Sequence, residues 1–223
     1  MKDAHIQLAN RWIRINNLND QFTKLLGEFK GNNLFDYVYI DHTAGITLDV
    51  IKLFDVIEDD IVYRKSPVEG DTRIISRFND FVNAGEITIL TEKGVAKHDL
   101  HLPHDIMSVY AKPELEAFRT SEMFHQFRAD GFPDDIQVLF PPIGDLKPEL
   151  IWSRVEKYEN DVVTCQLLNQ PHQNFGINLK DTITASPQAV GDDYYIVAHI
   201  SPKQASQQNS AQITEKKPWW KFW

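Results

Sequence analysis

Residues 149–168, ELIWSRVEKYENDVVTCQLL, decide the fold class. Leu150 to Tyr158 and Val162 to Leu168 are two runs rich in β-branched and aromatic residues, and the Asn160-Asp161 step between them is turn chemistry, so the segment reads as two short strands. On either side the same grammar repeats. Ile136 to Phe140 comes before, Ile183 with its neighbours and Tyr194 to Ile200 come after, and Pro, Gly, Asn or Asp separates each from the next. Short strands at this spacing predict a small barrel or a strongly bent sheet.

Toward the N-terminus the pattern mixes. Leu34 to Arg64 holds Phe35, Tyr37, Val38, Tyr39 and Ile40, then Ile46 to Val56, then Ile61 to Tyr63, which predicts a strand meander. A further strand is expected at Glu86 to Leu90. Before the meander, Ile6, Leu8, Trp12, Ile13 and Ile15, then Phe22, Leu25, Leu26 and Phe29, recur mostly three or four apart, which predicts one or two amphipathic helices broken near Asn16-Asn17-Leu18-Asn19. Asp71 and Thr72 are placed to cap a helix carrying Ile74, Ile75, Phe78, Phe81 and Val82. Pro113 suits the first position of another, running to Gly131 with Glu114 and Glu116 in its first turn. The expected architecture is therefore α+β: helices packed on antiparallel meander sheets, a C-terminal barrel-like β module and a disordered tail. Its parts are 1–130, 131–202 and 203–223.

Charge narrows the classes of partner. The net −9 of the 223 residues divides into +3 beyond Pro202, from Lys203, Lys216, Lys217 and Lys221 against Glu215, and −12 for the body before it. Phosphate contacts need clustered Lys and Arg, so nucleic acid is not an expected partner, whereas a basic protein would be steered toward this surface. No apolar run approaches the roughly 18 residues of a membrane span, and the start of the chain lacks the apolar core and cleavage site of a secretory signal. A lone cysteine, Cys165, forms no internal disulfide and agrees with a reducing, cytoplasmic setting.

Candidate chemistry is sparse. His98, His101 and His104, with Asp99 and Asp105, are zinc-type ligands, but residues three apart on a strand face opposite ways and Pro103 opposes a helix through all three, so the solvated-loop reading prevails and no metal or cofactor is expected. Cys165 sits in the apolar run Val162 to Leu168 with no basic neighbour to lower its pKa; a pairing with His172 or His199 is the nucleophilic alternative to a core thiol. Asp134-Asp135, Asp145, Asp192-Asp193 and the cluster Asp55, Glu58, Asp59, Asp60 supply carboxylates in no recognised catalytic spacing, and beside Gly and Pro they read as turns and surface charge. The terminal KKPWWKFW places Trp219, Trp220 and Trp223 among lysines, a composition fit for a protein groove or an anionic membrane surface, and Gln204 to Gln212 before it reads as a disordered linker.

Glu149-Leu150-Ile151-Trp152, Val155, Leu167-Leu168-Asn169-Gln170-Pro171, Phe175-Gly176 and Lys180-Asp181 before Ile183 together resemble the C-terminal domain of a poorly characterised bacterial family. In that family a Trp-bearing strand, an Asn-x-Pro turn and a Gly-Asp step build a small β-rich module. Lys180 stands where the family has Gly. Related modules resemble immunity proteins encoded beside polymorphic toxins, which implies an antitoxin-like protein that binds a basic toxin and catalyses nothing. The expectation is thus a cytoplasmic protein-binding module that is not an enzyme, with Asp55, Glu58, Asp59, Asp60, Trp219, Trp220 and Trp223 as partner-binding residues. The alternatives are a small-molecule-binding protein or enzyme with a pocket between the two parts, using His98, His101 or Cys165, and a protein recruited to the membrane surface by its tail.

Overall fold

The computed structural model describes residues 6–70, 72–102 and 104–200. The described residues form two compact units, one within 1–113 with 130–133 and one within 114–129 with 134–200.

The first unit is built on an antiparallel sheet of β1 (Arg11–Asn16), β2 (Asn33–Asp41), β3 (Gly45–Ile57), β4 (Asp60–Tyr63), β5 (Ile75–Arg77) and β6 (Glu86–Ile89), ordered β4-β3-β2-β1-β6, with β5 also on β3. β3 is long enough to hold two neighbours along one edge: β5 pairs with Thr47 to Asp49 and β4 with Phe54 to Ile57. β2 is buried along nearly its whole length, so it reads as a continuous apolar run. Its even-numbered Leu34 and Val38 join Ile13, Ile15, Leu48, Val50, Phe22 and Phe81 in one core, while Phe35, Tyr37 and Tyr39 on the other face pack with Phe54, Leu100 and Ile106. Gly45 closes the β2–β3 turn with φ +79°, and a Cβ there would lie 2.2 Å from the Gly131 carbonyl, which accepts the Ile46 N–H at 2.7 Å.

The helices α1 (Asp20–Leu25) and α2 (Phe78–Phe81) are shorter than the sequence suggests, and α3 (Glu92–Lys97) and α4 (His104–Tyr110) stand where no helix is expected. The amphipathic helix expected over Ile6 to Ile15 is instead largely β1, in which Ile13 and Ile15 are buried two apart. A short apolar run satisfies both periods, and pairing with β2 and β6 decides the matter. Only its second half is helical, starting where the Asn19 side chain accepts the Phe22 N–H. The helix expected after Thr72 is likewise cut short, its first part being strand β5 and only Phe78–Phe81 helical. Arg77 bonds Asp41 and Thr47 across the sheet, which holds residues 75–77 extended and leaves a single helical turn, α2.

The 3₁₀ turn Pro113–Leu115 leads into the second unit, followed by α5 (Glu116–Thr120) and the 3₁₀ turns of Glu122–Phe127, where one continuous helix to Gly131 was expected. Extended backbone at Ser121 (ψ 117°) breaks it, and Phe118 and Phe124 are both fully buried on either side of that break. β7 (Arg128–Ala129) and β8 (Phe132–Phe140) then lead into β9 (Glu149–Glu159), β10 (Val162–Leu167), β11 (Thr182–Val190) and β12 (Asp193–Ala198). β8 to β12 form an antiparallel meander, and β12 closes on β8 at Val197↔Leu139. Successive hairpins reverse direction, so the first and fifth strands run the same way and the closure has to be parallel. The expected barrel-like module is present. Its interior holds Ile136, Val138, Ile151, Val155, Val163, Cys165, Ile183 and Ile196, and Phe175 of the long β10–β11 connection packs edge-on against Phe140.

Candidate interaction surfaces

The acidic cluster of the β3–β4 hairpin divides in two. Asp55 is structural: its carboxylate accepts the Asn32 N–H at 2.8 Å and pairs with Arg64 at 2.6 Å. Partial burial pushes its pKa up, but the Asn32 N–H and the Arg64 guanidinium outweigh this and hold it below the usual carboxylate range. Glu58 and Asp59 are the two loop residues, both with positive φ (49° and 69°), and with Asp60 they are exposed. The strand ends thus present three carboxylates at one hairpin tip. Trp219, Trp220 and Trp223 lie outside the described residues, as does the linker before them.

Asp134 and Asp135, among the carboxylates that sequence alone could offer for acid–base work, are already engaged. Asp134 and Asp135 point to opposite faces of β8, and each meets its own arginine in a two-pronged fork. Arg119 donates to Asp134 at 2.8 and 2.8 Å, and Arg154 donates to Asp135 at 2.7 and 2.9 Å. The bond to Asp135 raises the Arg154 pKa, and in Arg119 the bonds to Asp134 and Glu116 outweigh the effect of burial to the same end. Asp49 is bonded by Arg73 and Asp41 by Arg77.

The histidines do not converge. His98 stacks on Phe35 with ring centroids 4.3 Å apart and is hydrogen-bonded to the Tyr63 hydroxyl at 2.9 Å. Burial, together with Lys97, Arg14 and Lys52, lowers its pKa. His101 instead pairs with Asp99 at 2.8 Å in the open, and the side chain of His104 is outside the described set. Among the described residues no group of three or more His, Cys, Asp or Glu is arranged to hold a metal ion. Cys165 is fully buried in the barrel, and burial, with Glu156 adding to it, pushes its thiol far above the range of a nucleophile. His199 bonds Ser186 at 2.8 Å and Thr184 at 3.2 Å on the barrel exterior rather than the thiol.

The residues that carry the family resemblance form scaffold. Asn169 accepts the Trp152 N–H at 2.8 Å, Glu149 accepts the N–H groups of His172 and Gln173, and Asp181 accepts the Asn178 N–H at 2.8 Å. These bonds hold the loop that places Phe175 against the barrel core. Lys180, where a glycine is expected, has φ +73°.

One cavity of about 400 Å³ has an apolar floor of Trp12, Leu90, Val95 and Leu100 and a rim of Arg11, Glu92 and His101. Nothing in the sequence pointed to it, because its wall joins β1 to the β6–α3 segment, which is distant from it in the chain. Among the described residues no helix is long and apolar enough to cross a membrane. Compared with protein-family models, curated proteins and solved structures, the chain matches none.

Proposed function

We propose that this chain is a non-catalytic binding protein whose partner is a basic protein, in keeping with the immunity-like role that the family resemblance implies. The observation that supports this reading is how the positive charge is spent. Of the eight arginines, Arg64, Arg73, Arg77, Arg119 and Arg154 are paired with Asp55, Asp49, Asp41, Asp134 and Asp135. Arg14 and Arg128 lie over the Phe54 and Phe118 rings. Five of the arginines are thus each matched by a carboxylate, while Glu58, Asp59, Asp60, Asp192 and Asp193 stay exposed. Each pair cancels one charge of either sign, so the −12 of the body before the tail is carried by the remaining carboxylates, these exposed ones among them, and opposite charge accelerates encounter with a basic protein.

The test is to isolate the basic protein that forms a stoichiometric complex with the full chain and measure its association rate against salt. We expect a fall of about tenfold or more from low to high ionic strength, and a further fall in the Glu58→Lys, Asp59→Lys, Asp60→Lys variant. A rate indifferent to salt, or the lack of any stoichiometric partner, overturns the reading. The second reading, a small-molecule site, is favoured by one observation, the apolar cavity at Trp12 and Leu90. It predicts that Trp12→Ala abolishes binding of a small apolar ligand and leaves the protein complex intact.

A further inference from the structure

The outer wall of the barrel carries an apolar patch. Leu150 and Trp152 are two apart on β9, share its outward face, and remain 47% and 36% exposed. Leu150 pairs with Leu139 on β8, and Leu139 pairs in turn with Val197 on β12. Leu150, Trp152 and the half-buried Leu139 thus form one apolar patch across β8 and β9, with Val197 of β12 buried at its edge, while the interior positions between them, Ile151 and Val138, belong to the core.

We propose that the occupant of this patch is the chain's own terminal segment, Lys216–Trp223. Three independent features converge on it. The first is position: Val197 lies one residue before the end of β12, so the chain leaves the barrel beside the patch. Residues 201–218 separate the last described residue from Trp219, and a random coil of that length spans about 23 Å, ample for a return to β9. The second is charge: the described residues of the second unit hold thirteen acids against six bases, and the segment beyond Pro202 carries +3. The third is chemistry. Three tryptophans and a phenylalanine in eight residues need an apolar surface, and tethering raises their local concentration to about the millimolar range, so a weak contact suffices. Docking buries both the patch and the aromatic cluster, each of which would otherwise be an exposed hydrophobic liability. This inference does not rest on the proposed partner.

The test compares amide and indole NMR spectra of the full chain with those of a full-length variant carrying Trp219→Ser, Trp220→Ser, Phe222→Ser and Trp223→Ser. Docking predicts shifts at Leu139, Leu150, Val197 and the Trp152 indole, and few elsewhere in the barrel. In a second full-length variant, Leu150→Gln, the terminal indoles are expected to move to the positions they take in the free peptide KKPWWKFW. Superimposable spectra at the patch overturn the proposal. So do terminal indoles that already match the free peptide in the native chain and shift only when phosphatidylglycerol vesicles are added, since the segment is then a membrane anchor.

Discussion

On β2 of the first unit, Asp36 is fully buried between Leu34 and Val38; one carboxylate oxygen accepts the Tyr37 N–H at 2.7 Å and the other has no hydrogen-bond partner. On β8 of the second unit, Asp134 and Asp135 are buried to nearly the same degree, yet each is met by two guanidinium N–H groups. The same residue type in the same kind of strand therefore takes opposite electrostatic roles. Burial pushes the Asp36 pKa well above the usual carboxylate value; the Tyr37 N–H offsets this in part, and Asp49 adds to it. A buried carboxylate is tolerated either by neutralising itself with a proton or by recruiting a fixed cation.

The largest expected effect comes from stripping a cation from the second arrangement. Arg119→Met leaves Asp134 buried without its fork, and we expect a loss of about 3–5 kcal/mol by denaturant unfolding. Adding Asp134→Leu to that variant should recover most of the loss, since an apolar pair removes the buried charge that Arg119 compensated. If the double variant is as unstable as the single one, packing of the arginine stem rather than charge compensation is what Arg119 supplies.

Asp36 predicts the reverse sign. Asp36→Asn keeps the acceptor for the Tyr37 N–H and abolishes the charge, so it should stabilise the protein at pH 8 by about 2 kcal/mol, the scale of an unsatisfied buried polar group. The pH dependence follows from linkage. The folded pKa is raised, so the unfolded chain releases the Asp36 proton first. Its favourable contribution is complete below the unfolded value of about 4 and is lost as pH rises toward the folded pKa. Asp55, whose folded pKa is lowered, behaves oppositely and loses its contribution as pH falls. The stability difference between native and Asp36→Asn proteins should therefore grow from pH 4 upward. A difference independent of pH would mean that Asp36 is not the titrating group.

This contrast also marks what the sequence could reveal. Asp36 in NLFDYVYID interrupts an apolar run and looks like any strand acid, and Asp134-Asp135 after Pro133 looks like a turn. Their partners, 15 and 19 residues away, become neighbours only through the fold. The strands from Leu34 to Tyr63 and from Ile136 onward were legible because β-branched runs and turn residues are local signals. The helices were overestimated because spacing of three or four also fits short strands, as at Ile13 and Ile15, and because a backbone break such as Ser121 leaves no compositional trace. Of the anticipated partner-binding residues, the exposed tip at Glu58, Asp59 and Asp60 was recognisable from composition, whereas the Asp55–Arg64 pair was not.

A smaller effect is expected at Lys180. Its φ of +73° is the left-handed region that a β-carbon disfavours, at a position where the family resemblance calls for glycine. Lys180→Gly should gain about 1 kcal/mol, read as a rise in the urea midpoint. No gain would mean that the more flexible unfolded chain offsets the relief of strain.

The two-residue hairpin loops of the two units sharpen the comparison at the smallest scale. Glu58-Asp59 joins β3 to β4, and Asn160-Asp161 joins β9 to β10, all four residues with φ between 49° and 69°. Positive φ at both loop positions is the type I′ turn, whose favoured first residue is Asn rather than Glu. The barrel loop already has the preferred residue, and Glu58 does not. Glu58→Asn is therefore expected to stabilise by a few tenths of a kcal/mol, about 0.5, and Asn160→Glu to destabilise by about as much. If Glu58→Asn also slows association with a basic partner while Asn160→Glu does not, the unfavoured residue at the first loop is retained for its charge. If neither changes association, the hairpin tip is not part of the binding face, and the exposed carboxylates elsewhere have to carry it.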